Sequence, residues 1–540
     1  MFKTRPSSEF EYIIVGAGSS GMALAARLSQ RGRRVLLLEA GGNAGSLLNS
    51  WIVRMPSAYG YAYRNPKLNW GYYGEPEPSL NMRKMYQPRG RVLGGSSAVN
   101  GMGFVRAHPA IFRKWVSLGC DGWGPEDVLP YYKRLETWHG PANPLRGTDG
   151  PVHVIKGNLE CPYYETFFEA GRELGHGFSD DINASVQEGF GAFQLNVEAG
   201  VRSSTDYAYL RHVARRENLT IITNAHVAEI LFRGEKAVGV RYMNGGNTHD
   251  AYCGEEVILS AGAFNSPKLL MLAGIGPEDD LRRHGLPVRV NRRGVGENLQ
   301  DHPIVYPKYE AKSRVSPVKY NRYPEKLAVG LRWFATKGGP CASNQMEAIA
   351  LLRSEASAEF PDIEFQFCPL VLDHDAGSTT DVHGWSNSFG PVSVETRGWV
   401  KLSDSNPLSP PRILCNFFNS DSDIRLMLRA LETNRELMET AAFRKITRRL
   451  LTPHVHSTDR KTQIELLRQE ISGDYHPVGT CRMGAAGDPD AVVDSDLRVI
   501  GVQGLRVADA SIMPVIPNAN TNATSIMIGE KAADHLLSSL

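Results

Sequence analysis

Tyr12-Ile13-Ile14-Val15 is the first uninterrupted apolar run in the chain. From Ser20 to Arg31 the spacing changes, with Met22, Leu24, Ala25 and Leu28 recurring at helical intervals. Val35-Leu36-Leu37-Leu38 then restores a continuous apolar run. Strands without polar alternation suit a parallel sheet covered on both faces, so the opening predicts a strand–helix–strand unit. Leu219 to Ile222, Glu256 to Ala261 and Leu505 to Ala508 are further strand candidates. The last two run into turns marked by glycine or aspartate and then into helical segments. From about Pro303 to Glu470 the character differs. Alternating runs such as Val392-Ser393-Val394-Glu395 and Trp399-Val400-Lys401-Leu402, many prolines and a helical pattern from Asp421 to Thr440 predict antiparallel strands with helices. The expected fold class is α/β. A discontinuous Rossmann-like domain spans 1–155, 190–302 and 470–540, and a second domain of antiparallel sheet and helices spans 156–189 and 303–469.

Composition narrows the function. With 42% apolar and 22% charged residues among 540, the chain has a sizeable core and is not globally disordered. Lysine and arginine number 60 against 58 acids, a formal charge of +2, which gives no electrostatic case for nucleic acid. The seven cysteines are dispersed with no Cys-x-x-Cys pair, which argues against a disulfide framework or zinc module and suits a reducing compartment. The first ten residues carry no apolar signal segment, and no run of about 18 apolar residues occurs. A cytoplasmic protein is expected, with peripheral membrane association left open.

Gly16-Ala17-Gly18-Ser19-Ser20-Gly21 lies between the first strand and the first helix, where a G-x-G-x-x-G carries meaning. Gly16 permits the tight turn, Gly18 lets backbone approach a pyrophosphate, and Gly21 lets helix pack on strand. Phosphate then meets the helix N-terminus. Glu39 ends the second strand where an acid for a ribose 2′-hydroxyl belongs, and it disfavours a 2′-phosphate. FAD and NAD both fit this unit. No second phosphate loop appears, which favours one tightly held dinucleotide, FAD.

Arg89-Gly90-Arg91-Val92-Leu93-Gly94-Gly95-Ser96-Ser97-Ala98-Val99-Asn100-Gly101 resembles the first signature of the glucose–methanol–choline (GMC) oxidoreductases. The resemblance continues in Gly262 to Leu270, Ala273-Gly274-Ile275-Gly276, Val295 to His302, Arg397 to Leu402 and His476 to Gly484, in the family's order over nearly the whole chain. It implies a flavoenzyme that oxidises a CH–OH group, a primary alcohol by preference, with His476 accepting the hydroxyl proton and Asn520 orienting the oxygen. Imidazole suits that role near neutral pH. A helix N-cap is the alternative reading of Asn520. FAD is expected on Gly16, Gly18, Ser19, Ser20, Gly21, Glu39, Ala40, Trp70, Val92, Gly94, Gly95, Ser96, Asn100, Gly101, Val227, Asp509, Ala510 and Thr521. Val99 stands where some relatives carry a histidine linked to the flavin, so the cofactor is expected to be non-covalent. A small-molecule alcohol and an electron acceptor (quinone, another acceptor or O2) are the expected partners, and no metal is expected. A choline dehydrogenase, an oxygen-using alcohol oxidase and a non-redox flavin protein are the alternatives. Choline would need an aromatic cage with an acid nearby. No Gly-x-Ser-x-Gly elbow supports a hydrolase, and His454-x-His456 lacks a third metal ligand.

Overall fold

The computed structural model describes residues 10–44, 50–373 and 378–538. Residues 1–9, most of the stretch read for a signal segment, lie outside them. Strand β1 (Phe10–Val15) passes into helix α1 (Ser19–Gln30) and then strand β2 (Val35–Glu39). Four further strands complete most of the first sheet: β3 (Leu219–Thr223), β4 (His226–Arg233), β5 (Lys236–Asn244) and β6 (Asn247–Leu259). The order is β3-β2-β1-β6-β5-β4, with Leu505–Val507 pairing beside β6. β1 pairs in parallel with both β2 and β6, while β4, β5 and the start of β6 form an antiparallel meander. The side chains Ile13, Ile14, Leu36 and Leu37 are buried, as a sheet covered on both faces demands.

Helix α2 (Gly262–Leu272) follows β6 directly. Farther along the chain lie α3 (Glu325–Thr336), α4 (Asp421–Met438) and the carboxy-terminal α5 (Thr521–Ser538). α5 lies against α1 at backbone distance, since a Cβ on Gly529 would sit 2.2 Å from the Ser20 carbonyl oxygen. Glu530 fastens the pair. Its fully buried carboxylate meets Arg27 and Arg134 and accepts the Tyr209 hydroxyl at 2.6 Å.

The second sheet has six strands: Thr447–Leu450, Lys308–Ala311, Gly384–Pro391, Ile363–Cys368, Ala348–Leu352 and Gly189–Ala192, in that spatial order. All its ladders are antiparallel. Gly189–Ala192 pairs with residues 348–351, so this sheet reaches past the boundary expected after residue 189. Its face packs against α4 and an aromatic-rich core that includes Phe365, Phe367, Trp385 and Phe389. The molecule is therefore a parallel-sheet nucleotide fold joined to an antiparallel sheet with helices, as the hydrophobic pattern predicted.

One expected strand is absent. Val392 to Glu395 forms no ladder. Pro391 ends the preceding strand, and Asp423 then takes the Glu395 and Thr396 N–H groups at 2.8 and 2.9 Å. A side-chain carboxylate has replaced a neighbouring strand as acceptor. Trp399–Lys401 does form a strand, paired with Arg412–Leu414. The seven cysteines are all buried and free.

Candidate active site

A cavity of about 1010 Å³ begins at the carboxyl ends of the parallel strands, where α/β folds place ligands, and extends to the second sheet. Its nucleotide end is built almost wholly of backbone. Gly16 sits at φ +104°, and a Cβ there would lie 2.4 Å from the Ser260 carbonyl oxygen. Gly18 gives α1 no side-chain cap, and the first turn holds no acid. The unpaired N–H groups and the positive end of the helix dipole are thus left for an anion at the wall formed by Gly18, Ser19 and Ser20. Gly95, at φ +53°, closes the loop opposite, and a Cβ on it would lie 2.6 Å from Gly18 Cα.

At the end of β2, Glu39 is buried and lines the cavity with Ala40. Its two oxygens accept from Ala17 N at 3.0 Å and Gly41 N at 2.8 Å. Burial pushes this carboxyl up to about 7 against those two N–H bonds. Each oxygen keeps a lone pair for a ribose hydroxyl. Val227 of β4 and Trp70 line the same end. Further in, Ser96, Asn100 and Gly101 form the wall. Asn100 Oδ1 accepts from Arg202 at 2.8 Å and from Met102 N at 3.1 Å, so its NH2 is the group left for a ligand. A diphosphate at α1, a ribose at Glu39 and a flat ring along the glycine loop all fit these residues, which is the donor set FAD requires.

The chemistry gathers at the other end. His476 follows Tyr475, which is held at φ +63°, a left-handed conformation of the kind that concentrates at functional sites. Asp301 fixes this turn, its Oδ1 accepting from His476 N at 2.7 Å and from His302 N at 2.8 Å. Asn520 Nδ2 lies 3.2 Å from His476 Nε2. An amide NH2 only donates, so Nε2 carries the lone pair and Nδ1 the proton in the neutral ring. On that side His476 Nδ1 meets Asp474 Oδ2 at 3.3 Å and His302 Nδ1 at 3.2 Å. Burial, reinforced by His302 and then Arg89, holds the His476 pKa well below its ordinary value. The ring is therefore neutral at neutral pH, with its basic nitrogen beside Asn520. Asn520 Oδ1 is buried without a partner among the described residues, an acceptor kept for something in the cavity.

Most predicted contacts line the cavity: Gly16, Gly18, Ser19, Ser20, Glu39, Ala40, Trp70, Gly95, Ser96, Asn100, Gly101, Val227, Asp509, Ala510, Asn520, Thr521 and His476. Gly21, Val92 and Gly94 do not. Gly21 is a packing glycine whose Cβ would strike the Gly16 oxygen at 2.0 Å. Val92 is buried in an apolar cluster with Leu68 and Ala98. Gly94 donates its N–H to Ala17 O at 2.9 Å and leaves no room for a Cβ beside Asp206. These three shape the cradle from behind. Asp509 faces it through backbone, because its carboxylate is spent on Gly262 N, Ser266 Oγ, Ser511 N and Ser511 Oγ. Asn520 is occupied with His476.

Asp301, His302, Asp474, Arg89 and Arg202 also belong to the site, with no role visible for them in the sequence alone. The signal was partly there, since Asp301 and His302 close the segment Val295 to His302 and Asp474 stands two residues before His476. His302, Asp474 and His476 also bring three metal-capable atoms within 4.8 Å of one another, a grouping that no sequence spacing reveals.

A glycine cradle for a dinucleotide, with an imidazole–amide pair at its far end, defines a flavin-type oxidoreductase. Family models for GMC oxidoreductase match residues 10–304 and 394–529, and the chain belongs to that family, whose members oxidise alcohol-type substrates with flavin. It is 41% identical over 528 residues to the oxygen-dependent choline dehydrogenase of Rhizobium etli, covering 98% of this chain and 95% of the relative. It is 39% identical over 531 residues to that of Brucella suis, with 98% and 96% coverage. Among solved structures it resembles pyridoxine 4-oxidase from Mesorbium loti, with TM-score 0.87, 28% identity and coverage of 98% and 99%. A formate oxidase of Aspergillus oryzae superposes with TM-score 0.90, 27% identity and 98% coverage of each chain.

Proposed function

We propose that this chain oxidises a primary alcohol to the carbonyl on non-covalently bound FAD, with His476 as the base. The observation that carries the reading is the Nε2 lone pair of a buried, neutral His476 lying 3.2 Å from the Asn520 amide in the cavity that the glycine cradle opens. A substrate hydroxyl that replaces this mutual contact donates to Nε2 while the amide NH2 holds its oxygen. The proton passes to Nε2, and the imidazolium so formed is stabilised through Nδ1–H by Asp474 at 3.3 Å. Asp301 keeps the ring aimed by clamping its backbone. The flavin, when bound, accepts the hydride that completes the oxidation. Val99 lines the cavity where a histidyl link would form, and its side chain cannot make one. Acid precipitation of the protein should leave the yellow colour in the supernatant. Under anaerobic conditions an aliphatic alcohol should bleach it, and a quinone or air should restore it. Colour in the pellet would refute the non-covalent assignment, and no bleaching across aliphatic, aromatic, polyol and amino alcohols would refute the oxidation.

A second reading, an amino alcohol of the choline type, is favoured by one specific grouping. Tyr59, Tyr63, Tyr306, Tyr475 and Asp474 line one cavity, with Tyr59–Tyr63 and Tyr63–Tyr475 ring centroids 6.5 and 6.1 Å apart and the Tyr306 hydroxyl 3.5 Å from Asp474 Oδ1. Aromatic faces around a carboxylate suit a cationic head. Burial, then Glu364 and Asp301, raise the Asp474 carboxyl well above its ordinary range, and a cation beside it would favour the ionised form. Asp474→Asn should raise KM for choline about tenfold and leave that for uncharged 3,3-dimethylbutan-1-ol within about threefold. An equal rise for both alcohols would assign Asp474 to holding His476 alone.

A further inference from the structure

Helix α3 stands on the surface on a single buried side chain, Trp333. A helix serving its own core turns its apolar stripe inward. Here the stripe faces out. Leu327, Leu331 and Phe334 follow at helical spacing and are 57%, 59% and 54% exposed, and Tyr323 just before them is 77% exposed. Tyr61, also more than half exposed, extends the patch, for Lys326 Nζ lies 3.2 Å from its hydroxyl and over its ring. Contiguous exposed apolar surface of this kind marks an interaction site.

Its charge identifies the partner. Lys319, Arg322, Lys326, Arg332 and Lys337 surround the stripe, and Glu325 is the one acid between Pro317 and Lys337. The whole chain carries only +2, so the excess is local. Among the described residues Arg322 meets Asp381 at 3.7 Å, and no ion pair involves the other four. The cavity reaches the same place, since Tyr61, Lys326, Val329, Gly330 and Phe334 also line it.

We propose that this face docks on an anionic phospholipid surface, with Leu327, Leu331 and Phe334 entering the acyl boundary and the five cations meeting headgroup phosphates. An apolar stripe flanked by lysine and arginine is the composition that binds in the plane of the interface. A second copy of the chain is disfavoured on the same evidence, because a two-fold axis would set these cations against themselves. Docked in this way, the cavity mouth faces the bilayer. An apolar alcohol or a lipid-soluble acceptor then reaches the site without crossing water. No helix among the described residues is long and apolar enough to span a membrane, so the attachment is interfacial.

Flotation of the holoenzyme with vesicles tests this. Vesicles of phosphatidylcholine with about one-third phosphatidylglycerol should carry the protein up, at least tenfold more than pure phosphatidylcholine, and high salt should weaken the binding. The double variant Leu327→Glu, Leu331→Glu should lose at least tenfold of that binding. It should keep its turnover of a soluble alcohol with a dye acceptor, since neither residue lines the cavity. Equal flotation of variant and wild type, or none of wild type, overturns the proposal. So does a sedimentation result in which wild type is a dimer and the variant a monomer, which would show a second copy covering the stripe.

Discussion

His476→Ala lowers kcat/KM for an alcohol by about 10²- to 10⁴-fold, the range a positioned general base contributes, while the protein keeps its flavin. The side chain sits at the end of the cavity away from the glycine cradle, so its removal takes away a proton acceptor and leaves the nucleotide contacts intact. The pH profile carries the same claim. His476 accepts a proton only when neutral, and burial with His302 and Arg89 nearby holds its pKa well below the ordinary value. Rate therefore rises as pH climbs through that lowered pKa and stays flat across neutrality, with the acid limb displaced below pH 6.5, where an unperturbed histidine titrates. Rapid-reaction measurement of flavin reduction between pH 5 and 9 reads both features. An alanine variant reduced at the wild-type rate would remove His476 from the chemistry.

What the sequence made legible follows from which forces are local. The opening unit was expected at Tyr12 to Val15, Ser20 to Arg31 and Val35 to Leu38, and it occurs at Phe10–Val15, Ser19–Gln30 and Val35–Glu39. Buried parallel strands advertise themselves as apolar runs, and glycines at positive φ leave few alternatives. Val392 to Glu395 misled because alternation cannot show that Asp423, on a distant helix, takes the N–H groups a ladder would use. The same limit hid the support of the base. Asp474 stands close to His476 in sequence, but Asp301 reaches it from a distant segment, brought alongside by the antiparallel pairing of Pro303–Ile304 with Ser472–Gly473 and by the bridge of Gln300 with Val478. In α3 the helical spacing of Leu327, Leu331 and Phe334 would read as a core face, and which way it points is a tertiary fact.

A large effect on cofactor holding is expected at Gly95. Alanine there meets two penalties. At φ +53° the left-handed backbone costs an L-residue about 1–2 kcal/mol, and the new Cβ would lie 2.6 Å from Gly18 Cα. The obstacle is backbone, so it cannot swing away as a flexible side chain would. One of the two loops must retreat by most of an ångström, and the loop of Gly18 is the one that presents the first turn of α1 to the phosphates. Phosphate recognition by N–H groups depends on close approach, so the displacement falls on affinity more than on folding. Gly95→Ala is expected to weaken FAD binding about 100-fold, near 3 kcal/mol, and to purify largely as apoprotein. Gly234→Ala separates the two causes. That residue sits at φ +62° in the turn between β4 and β5, and nothing lies within 4 Å of where its new methyl group would stand, so it bears the backbone penalty without the collision. Its flavin content should match wild type, with only a small fall in melting temperature. If both variants retain FAD equally, close contact between the two glycine loops is not what grips the dinucleotide.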